Sequence, residues 1–213
     1  MSDIRYIAIE GVIGVGKTTL AKKLAQKLEA QLVLEEFETN PFLGKFYEDR
    51  TRYAFQTQMF FLINRYKEHQ RLIQEDLFSN FIVSDYIFEK DQIFAFLNLS
   101  DDELVLYDNL FPLLQRDLRK PDLVVFLQAS IDRLMNNIKK RSRTIERNLY
   151  RSYISELSDA YNNFFFKYSN TPLLIVNTTD IDFVKNEKDF EELYKQIFRT
   201  DRGFVEYFNP VAG

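Results

Sequence analysis

Three glycines, a lysine and a threonine stand together in the stretch Gly11-Val12-Ile13-Gly14-Val15-Gly16-Lys17-Thr18. Residue types in the pattern G-x-x-x-x-G-K-T can hold a phosphate chain. Glycines let the backbone curl so that several N–H groups point at one cluster of anionic oxygens. A helix starting behind the loop adds the positive end of its dipole, the lysine reaches the β/γ-phosphates, and the threonine hydroxyl can hold Mg²⁺. The chain has six glycines in all, and three of them fall in these eight residues, which weighs against a chance turn. The flanks also fit: the β-favouring run Ile4 to Ile9 comes before, and Thr19-Leu20-Ala21-Lys22-Lys23-Leu24 opens a helix behind. The expectation is a nucleoside triphosphate site built from Gly11, Gly14, Gly16, Lys17, Thr18 and Thr19.

Other residues can do chemistry only if the fold brings them to that loop. Glu35 and Glu36 close a short apolar run, Gln31 to Leu34, and residues just past strand ends in such sheets face the ligand crevice. One of the two carboxylates is therefore placed for chemistry, unless both are simply solvated. Asp85 follows the apolar run Phe81-Ile82-Val83 and suits the metal–phosphate region, so Thr18 and Asp85 are the candidate Mg²⁺ residues. Gln58 and Arg65 lie seven apart on a long helical pattern and project from nearly the same side. Arg141 and Arg143, in the basic run Lys139 to Arg143, are two apart and share no helix face. A hinge there would let both aim at one point; a solvated charge run is the plain alternative.

The elements that must position these groups alternate strand and helix. Five apolar strands are expected, at about 4–9, 31–34, 81–83, 123–127 and 173–176, separated by stretches long enough for helical crossovers. The long helix should run from about Tyr53 to Leu77, with others near 90–97, 102–118, 130–170 (interrupted by the basic run) and 187–198. The result is an α/β fold: a five-stranded parallel sheet with helices on both faces, in a single domain over 1–213. By analogy with P-loop kinases the strand order would be 2-3-1-4-5. The stretch from Asp201 to Gly213 carries no legible role.

Bulk composition excludes several classes. A net charge of −4 argues against nucleic-acid binding through a basic surface. There is no cysteine, so disulfides and thiolate metal sites are out, and a single histidine excludes histidine-based metal sites. That histidine, His69, is expected on the surface of the long helix. With 21 Phe and 12 Tyr, aromatic packing should be heavy. No signal peptide or apolar run of membrane length is present, so a cytoplasmic protein without membrane partners is expected.

Taken together, IAIEGVIGVGKTTL, LEEFETNPFLGKFY, FQTQMFFLINRYK, SDYIFEKDQIFA, PDLVVFL and RSRTIE resemble the deoxyribonucleoside kinases, above all their bacterial deoxyadenosine/deoxyguanosine branch. The resemblance covers residues 4 to about 198. It implies ATP as donor, a deoxynucleoside as acceptor, a role in nucleotide salvage, and a homodimer. It implies that Glu35, with Glu36 as the fallback, takes the proton from the 5′-hydroxyl, and that Gln58 bonds the base. Arg65 with Asp91 would add a second hydrogen-bonding edge, an arginine that leans towards purines or deoxycytidine. The resemblance places Tyr47 on the sugar, Glu146 on the 3′-hydroxyl, Arg141 and Arg143 in a closing lid, and Asp182 and Phe183 at the donor's adenine. The sequence departs from the family at two points: Tyr86 and Asn137 stand where arginines usually do. A thymidylate-like monophosphate kinase and a non-catalytic nucleotide-binding module are the alternatives. The first lacks cations for an acceptor phosphate, and the second leaves the paired Glu35 and lid arginines without a purpose.

Overall fold

The computed structural model describes residues 4–75, 81–146 and 149–210. Strand β1 (Tyr6–Gly11) is buried at every position and runs through the middle of the molecule. A fully buried strand of this kind, apolar apart from Glu10 near its end, is stable only with neighbours on both edges and layers on both faces. The neighbours are β3 (Ile82–Ser84) on one side and β4 (Leu123–Gln128) on the other, both parallel to it. Beyond them lie β2 (Gln31–Val33) and β5 (Leu173–Asn177). The order β2-β3-β1-β4-β5 is the expected one, but the sheet continues into a sixth strand, β6 (Val205–Phe208).

The expectation of five strands is thus corrected to six. β6 pairs only with β5, placing Leu173 opposite Val205 and Val176 opposite Phe208. It is an edge strand whose residues are exposed or half-buried in alternation. Its sequence, Val205-Glu206-Tyr207-Phe208, therefore lacks the unbroken apolar run that marks the inner strands.

The crossovers are helical. They are α1 (Lys17–Leu28), α2 (Leu43–Glu48) with α3 (Arg50–Glu75), α4 (Lys90–Asn98) with α5 (Asp101–Gln115), α6 (Ile131–Arg141) with α7 (Arg151–Phe166), and α8 (Glu187–Ile197). The end expected for α3, at Leu77, lies outside the described residues. A Ser100–Glu103 capping box starts α5, with Glu103 accepting from the Ser100 backbone N–H at 2.9 Å. The aromatic surplus goes into layer packing: Phe165 of α7 stacks on Phe126 of β4 with centroids 4.2 Å apart. The basic interruption expected within 130–170 is the break between α6 and α7, where Ser142 adopts a left-handed conformation at φ 48°.

His69 is a second correction. It is 2% exposed, turned inwards from α3, with its ring edge-on to Tyr86 and Phe88. The apolar spacing of α3 did not mark it as core because polar residues interrupt that stripe. Neither ring nitrogen has a hydrogen-bonding partner among the described residues. Burial, reinforced by the positive charge of Arg65, pushes its pKa from 6.5 down to about 4. A depressed histidine favours the unfolded state when protonated. Its contribution is fully present above pH 6.5 and drains away as pH falls towards 4. At pH 5 the loss is about 2 kcal/mol. Urea denaturation at pH 7 and pH 5 should therefore show a smaller pH-dependent loss for His69→Phe than for the wild type. Equal losses would show that His69 is not the titrating group.

Candidate active site

The loop after β1 leaves the sheet at its centre. Gly14 (φ 93°) and Gly16 (φ 106°) both hold conformations that other residues rarely adopt. Space also forbids a side chain at either: a Cβ on Gly14 would lie 2.8 Å from the Leu134 carbonyl of α6, and one on Gly16 would lie 2.9 Å from the Phe183 ring. The loop is thus gripped from one side by α6 and from the other by the turn before α8. Asn137 strengthens the first grip by donating to the Gly14 carbonyl at 2.9 Å. The residue that departs from the family is therefore part of the loop's support.

Lys17 opens α1, and its ammonium curls back to donate to the carbonyls of Gly11 (2.6 Å) and Val12 (3.3 Å). Burial, followed by the like charge of Lys90, pulls its pKa down to about 8. The Thr18 hydroxyl donates to Asp85 Oδ2 at 2.5 Å. Asp85 Oδ1 accepts from the Glu35 backbone N–H at 2.8 Å, so one carboxylate ties the loop to the ends of β2 and β3.

A cavity of about 360 Å³ opens beside the loop, at the ends of β1, β2 and β3. Gly14, Gly16, Lys17, Thr18 and Thr19 form one wall, and Glu35 and Asp85 form its floor. Tyr47 of α2 with Gln58 and Arg65 of α3 form the far wall, and Arg141, Arg143 and Glu146 lie over the top. Six separate sequence segments thus meet in one cleft. Of the acidic pair, Glu35 lines the cavity and Glu36 does not.

The floor is an ion-pair network. Arg65 is 3% exposed and donates through Nε to Glu35 Oε1 at 2.9 Å; its Nη2 reaches the same oxygen, and its Nη1 pairs with Asp91. Lys90 Nζ donates to the other oxygen, Glu35 Oε2, at 2.5 Å. Burial alone would raise the Glu35 carboxyl, but Lys90 and Arg65 outweigh it and hold it well below the usual carboxylate range. Burial would likewise pull Arg65 down, and Glu35 and Asp91 keep it charged. Asp91 is completely buried behind the cavity wall, where its backbone carbonyl accepts from Gln58 Nε2 at 2.8 Å. It braces Gln58 and Arg65 from behind and does not line the cavity.

At the top, Arg141 makes a two-pronged bond to Glu146, Nε to Oε2 at 2.7 Å and Nη2 to Oε1 at 2.6 Å. Arg143 stands 3.6 Å from Glu146 Oε1 and stacks its guanidinium over Phe37 at 4.8 Å. The left-handed residue Ser142 between them lets both arginines face inwards, as the two-residue spacing required. Asp182 and Phe183 lie outside the cavity. Phe183 is buried under Gly16, and Asp182 is half-exposed, 4.0 Å from Arg133.

Two buried residues escaped the sequence reading. Glu10 accepts from the backbone N–H groups of Gly11 and Ile87, each at 2.9 Å, joining the root of the loop to the segment after β3. A lone acid at the end of an apolar strand was its only signal. Lys90 had none, since a lysine at a helix start reads as solvated. Tyr86, which replaces a family arginine, is buried and donates to Glu68 at 2.7 Å.

The chain is similar to known proteins over nearly its whole length. A deoxynucleoside kinase family model matches residues 7–201. The chain is 38% identical over 203 residues to a deoxyguanosine kinase of Bacillus subtilis, covering 91% of this chain and 96% of that one. It is 31% identical over 198 residues to the deoxyadenosine/deoxycytidine kinase of the same organism, covering 90% of each. In three dimensions it is similar to a deoxyadenosine kinase from M. mycoides solved with bound dATP, with a TM-score of 0.77, 23% identity, and coverage of 92% of this chain and 100% of that one. A glycine-rich loop, a buried carboxylate and a pair of arginines thus line one cavity on a fold shared with such enzymes, and the chain belongs to the deoxynucleoside kinase family.

Proposed function

We propose that this deoxynucleoside kinase moves the γ-phosphoryl group of ATP to the 5′-hydroxyl of a deoxyribonucleoside, with purine nucleosides favoured. The observation that carries the reading is Glu35: a buried carboxylate kept ionised by two cations, in the same cavity as the phosphate loop. The purine preference is supported by the relatives, which include a deoxyguanosine kinase of Bacillus subtilis and a deoxyadenosine kinase of Dictyostelium discoideum, 33% identical over 211 residues.

In this reading Lys17 leaves its loop carbonyls for the β/γ-phosphates, and the backbone N–H groups around Gly14, Gly16 and Thr18 cradle the phosphate chain, while the N–H groups of Gly11 and Thr19 are bonded to Glu10 and to the Gly16 carbonyl and support the loop's shape. The adjoining Thr18 hydroxyl and Asp85 carboxylate are hard oxygen donors of the type Mg²⁺ prefers, and they would hold it. The metal would neutralise charge on the β- and γ-phosphates. The loop of Asp182 and Phe183, packed against Gly16, would carry the donor's adenine. On the acceptor side, Tyr47 would pack on the sugar and Glu146 would take the 3′-hydroxyl. Gln58 gives its N–H to Asp91, so its carbonyl oxygen would read an N–H of the base.

Glu35 is a weak base because its carboxyl is held so low, and a loose transition state tolerates that. The 5′-oxygen becomes acidic only as its bond to phosphorus forms, so Glu35 orients the hydroxyl first and accepts the proton late. Arg141 and Arg143 stabilise charge on the transferring group.

A cytoplasmic setting in nucleotide salvage fits the reaction. The homodimer implied by family resemblance is supported by exposed Leu106, Leu110 and Leu113 along one side of α5. The direct test is ADP release with Mg·ATP across deoxyadenosine, deoxyguanosine, deoxycytidine, thymidine, their ribo forms and thymidine monophosphate. Turnover led by purine deoxynucleosides supports the reading; turnover with the monophosphate alone would make the acceptor a nucleotide. Arg141→Ala is expected to lower kcat by about 10³-fold, with nucleoside affinity much less affected; a kcat near wild type would remove Arg141 from the lid. Gln58→Ala should flatten the relative kcat/KM among nucleosides while ATP binding holds. Unchanged ratios would place the base elsewhere.

A further inference from the structure

Among the cations of the cavity, Lys90 enters the reaction as described only through Glu35. Lys90 is 5% exposed at the start of α4 and lines the cavity wall beside Lys17. It shares with Arg65 the task of keeping Glu35 ionised: Arg65 holds that carboxylate through two nitrogens on Oε1 while also pairing with Asp91. Lys90 takes the second oxygen, Oε2. With Oε1 doubly occupied, an acceptor hydroxyl that donates to Glu35 must do so at Oε2, next to the Lys90 ammonium.

Lys90 and Lys17 line the same cavity, and the like charge of Lys90 helps lower the pKa of Lys17; among the described residues no carboxylate is hydrogen-bonded to Lys17. Buried ammonium groups of this kind are costly unless an anion joins them. Lys90 therefore bonds the carboxylate proposed to meet the acceptor and lines the same cavity as the lysine proposed to meet the donor. Tyr86, four residues earlier, turns its hydroxyl to Glu68 and supplies no charge.

We propose that Lys90 is a catalytic residue whose ammonium holds the phosphoryl group as it crosses from donor to 5′-oxygen and then grips the phosphate of the product. The proposal rests on the kinase reading above. In the step, the bond from the 5′-oxygen to the γ-phosphorus forms and the bond from that phosphorus to the β,γ-bridging oxygen breaks, its electron pair leaving with ADP. The hydroxyl proton passes to Glu35, and Lys90 keeps its own protons throughout.

The test compares wild type with Lys90→Met, Lys90→Gln and Lys90→Arg. It measures steady-state kinetics and calorimetric binding of the fastest-turned-over deoxynucleoside and of its 5′-monophosphate. A charged hydrogen bond to phosphate is worth about tenfold or more in affinity. The Met and Gln variants should therefore bind the monophosphate at least about tenfold more weakly, with nucleoside binding within about threefold and kcat reduced about 100-fold. Lys90→Arg should restore most of both losses. If nucleoside and monophosphate affinities fall together and Arg rescues neither, Lys90 is a structural partner of Glu35 and the proposal is wrong. Unchanged kcat in a folded Gln variant would also overturn it. A wild type that phosphorylates no deoxynucleoside would overturn the kinase reading itself, whereas an active wild type with an equally active Gln variant defeats only the role of Lys90.

Discussion

The floor of this cleft depends on one buried guanidinium. Arg65 reaches inwards from the middle of α3 and is gripped by Glu35 from the end of β2 and by Asp91 from α4. Taking such charges out of water costs several kcal/mol per ion, and the cost is offset only while every partner stays in place. The network therefore fixes α3, α4 and the β2 terminus relative to one another more tightly than apolar contact alone would. Packing is non-directional, whereas charged hydrogen bonds such as those from three guanidinium nitrogens of Arg65 hold both distance and angle. Glu35 is thus rigid and ionised before any ligand arrives, which is the form of pre-organisation that phosphoryl transfer rewards.

The loop after β1 is held by space rather than by charge. α6 presses on Gly14 and the turn before α8 presses on Gly16, and either glycine would clash if it carried a side chain. The two halves meet at Asp85, which bonds Thr18 on one side and the Glu35 backbone on the other. This carboxylate sets the spacing between the phosphate loop and the acceptor floor. The lid differs in character from both, since Arg141 and Arg143 rest on Glu146 and are partly exposed. Glu146 is buried and its bond to Arg141 is two-pronged, so this pair is firmer than a surface ion pair, and a phosphate bound under the proposed lid would have to replace Glu146 as the partner of the arginines.

Much of this was legible in the sequence because it is written in short-range patterns. The glycine spacing marked the loop, unbroken apolar runs marked the inner strands, and strand ends pointed to Glu35 and Asp85. The seven-residue spacing brought Gln58 and Arg65 to one wall, as helix geometry requires. What stayed hidden depends on burial that local pattern does not encode. His69 interrupts a polar stretch of α3 yet points inwards, and Lys90 looks like any surface lysine until the fold sets Glu35 beside it. β6 was missed because an edge strand with half-exposed residues carries no continuous apolar run. Tyr86 and Asn137 read as losses in the sequence, and the structure gives each a bond of its own, to Glu68 and to the Gly14 carbonyl.

The central claim is that the acceptor's 5′-oxygen sits at Glu35, facing the phosphate loop across the cavity. A crystal structure with a deoxynucleoside and a non-hydrolysable ATP analogue bound together tests it most directly. The account predicts a 5′-oxygen about 2.6–3.2 Å from Glu35 Oε2, a base edge against Gln58, and a γ-phosphate between Lys17 and the lid arginines. A nucleoside bound with its 5′-oxygen away from Glu35, or with its base against the phosphate loop, would contradict it.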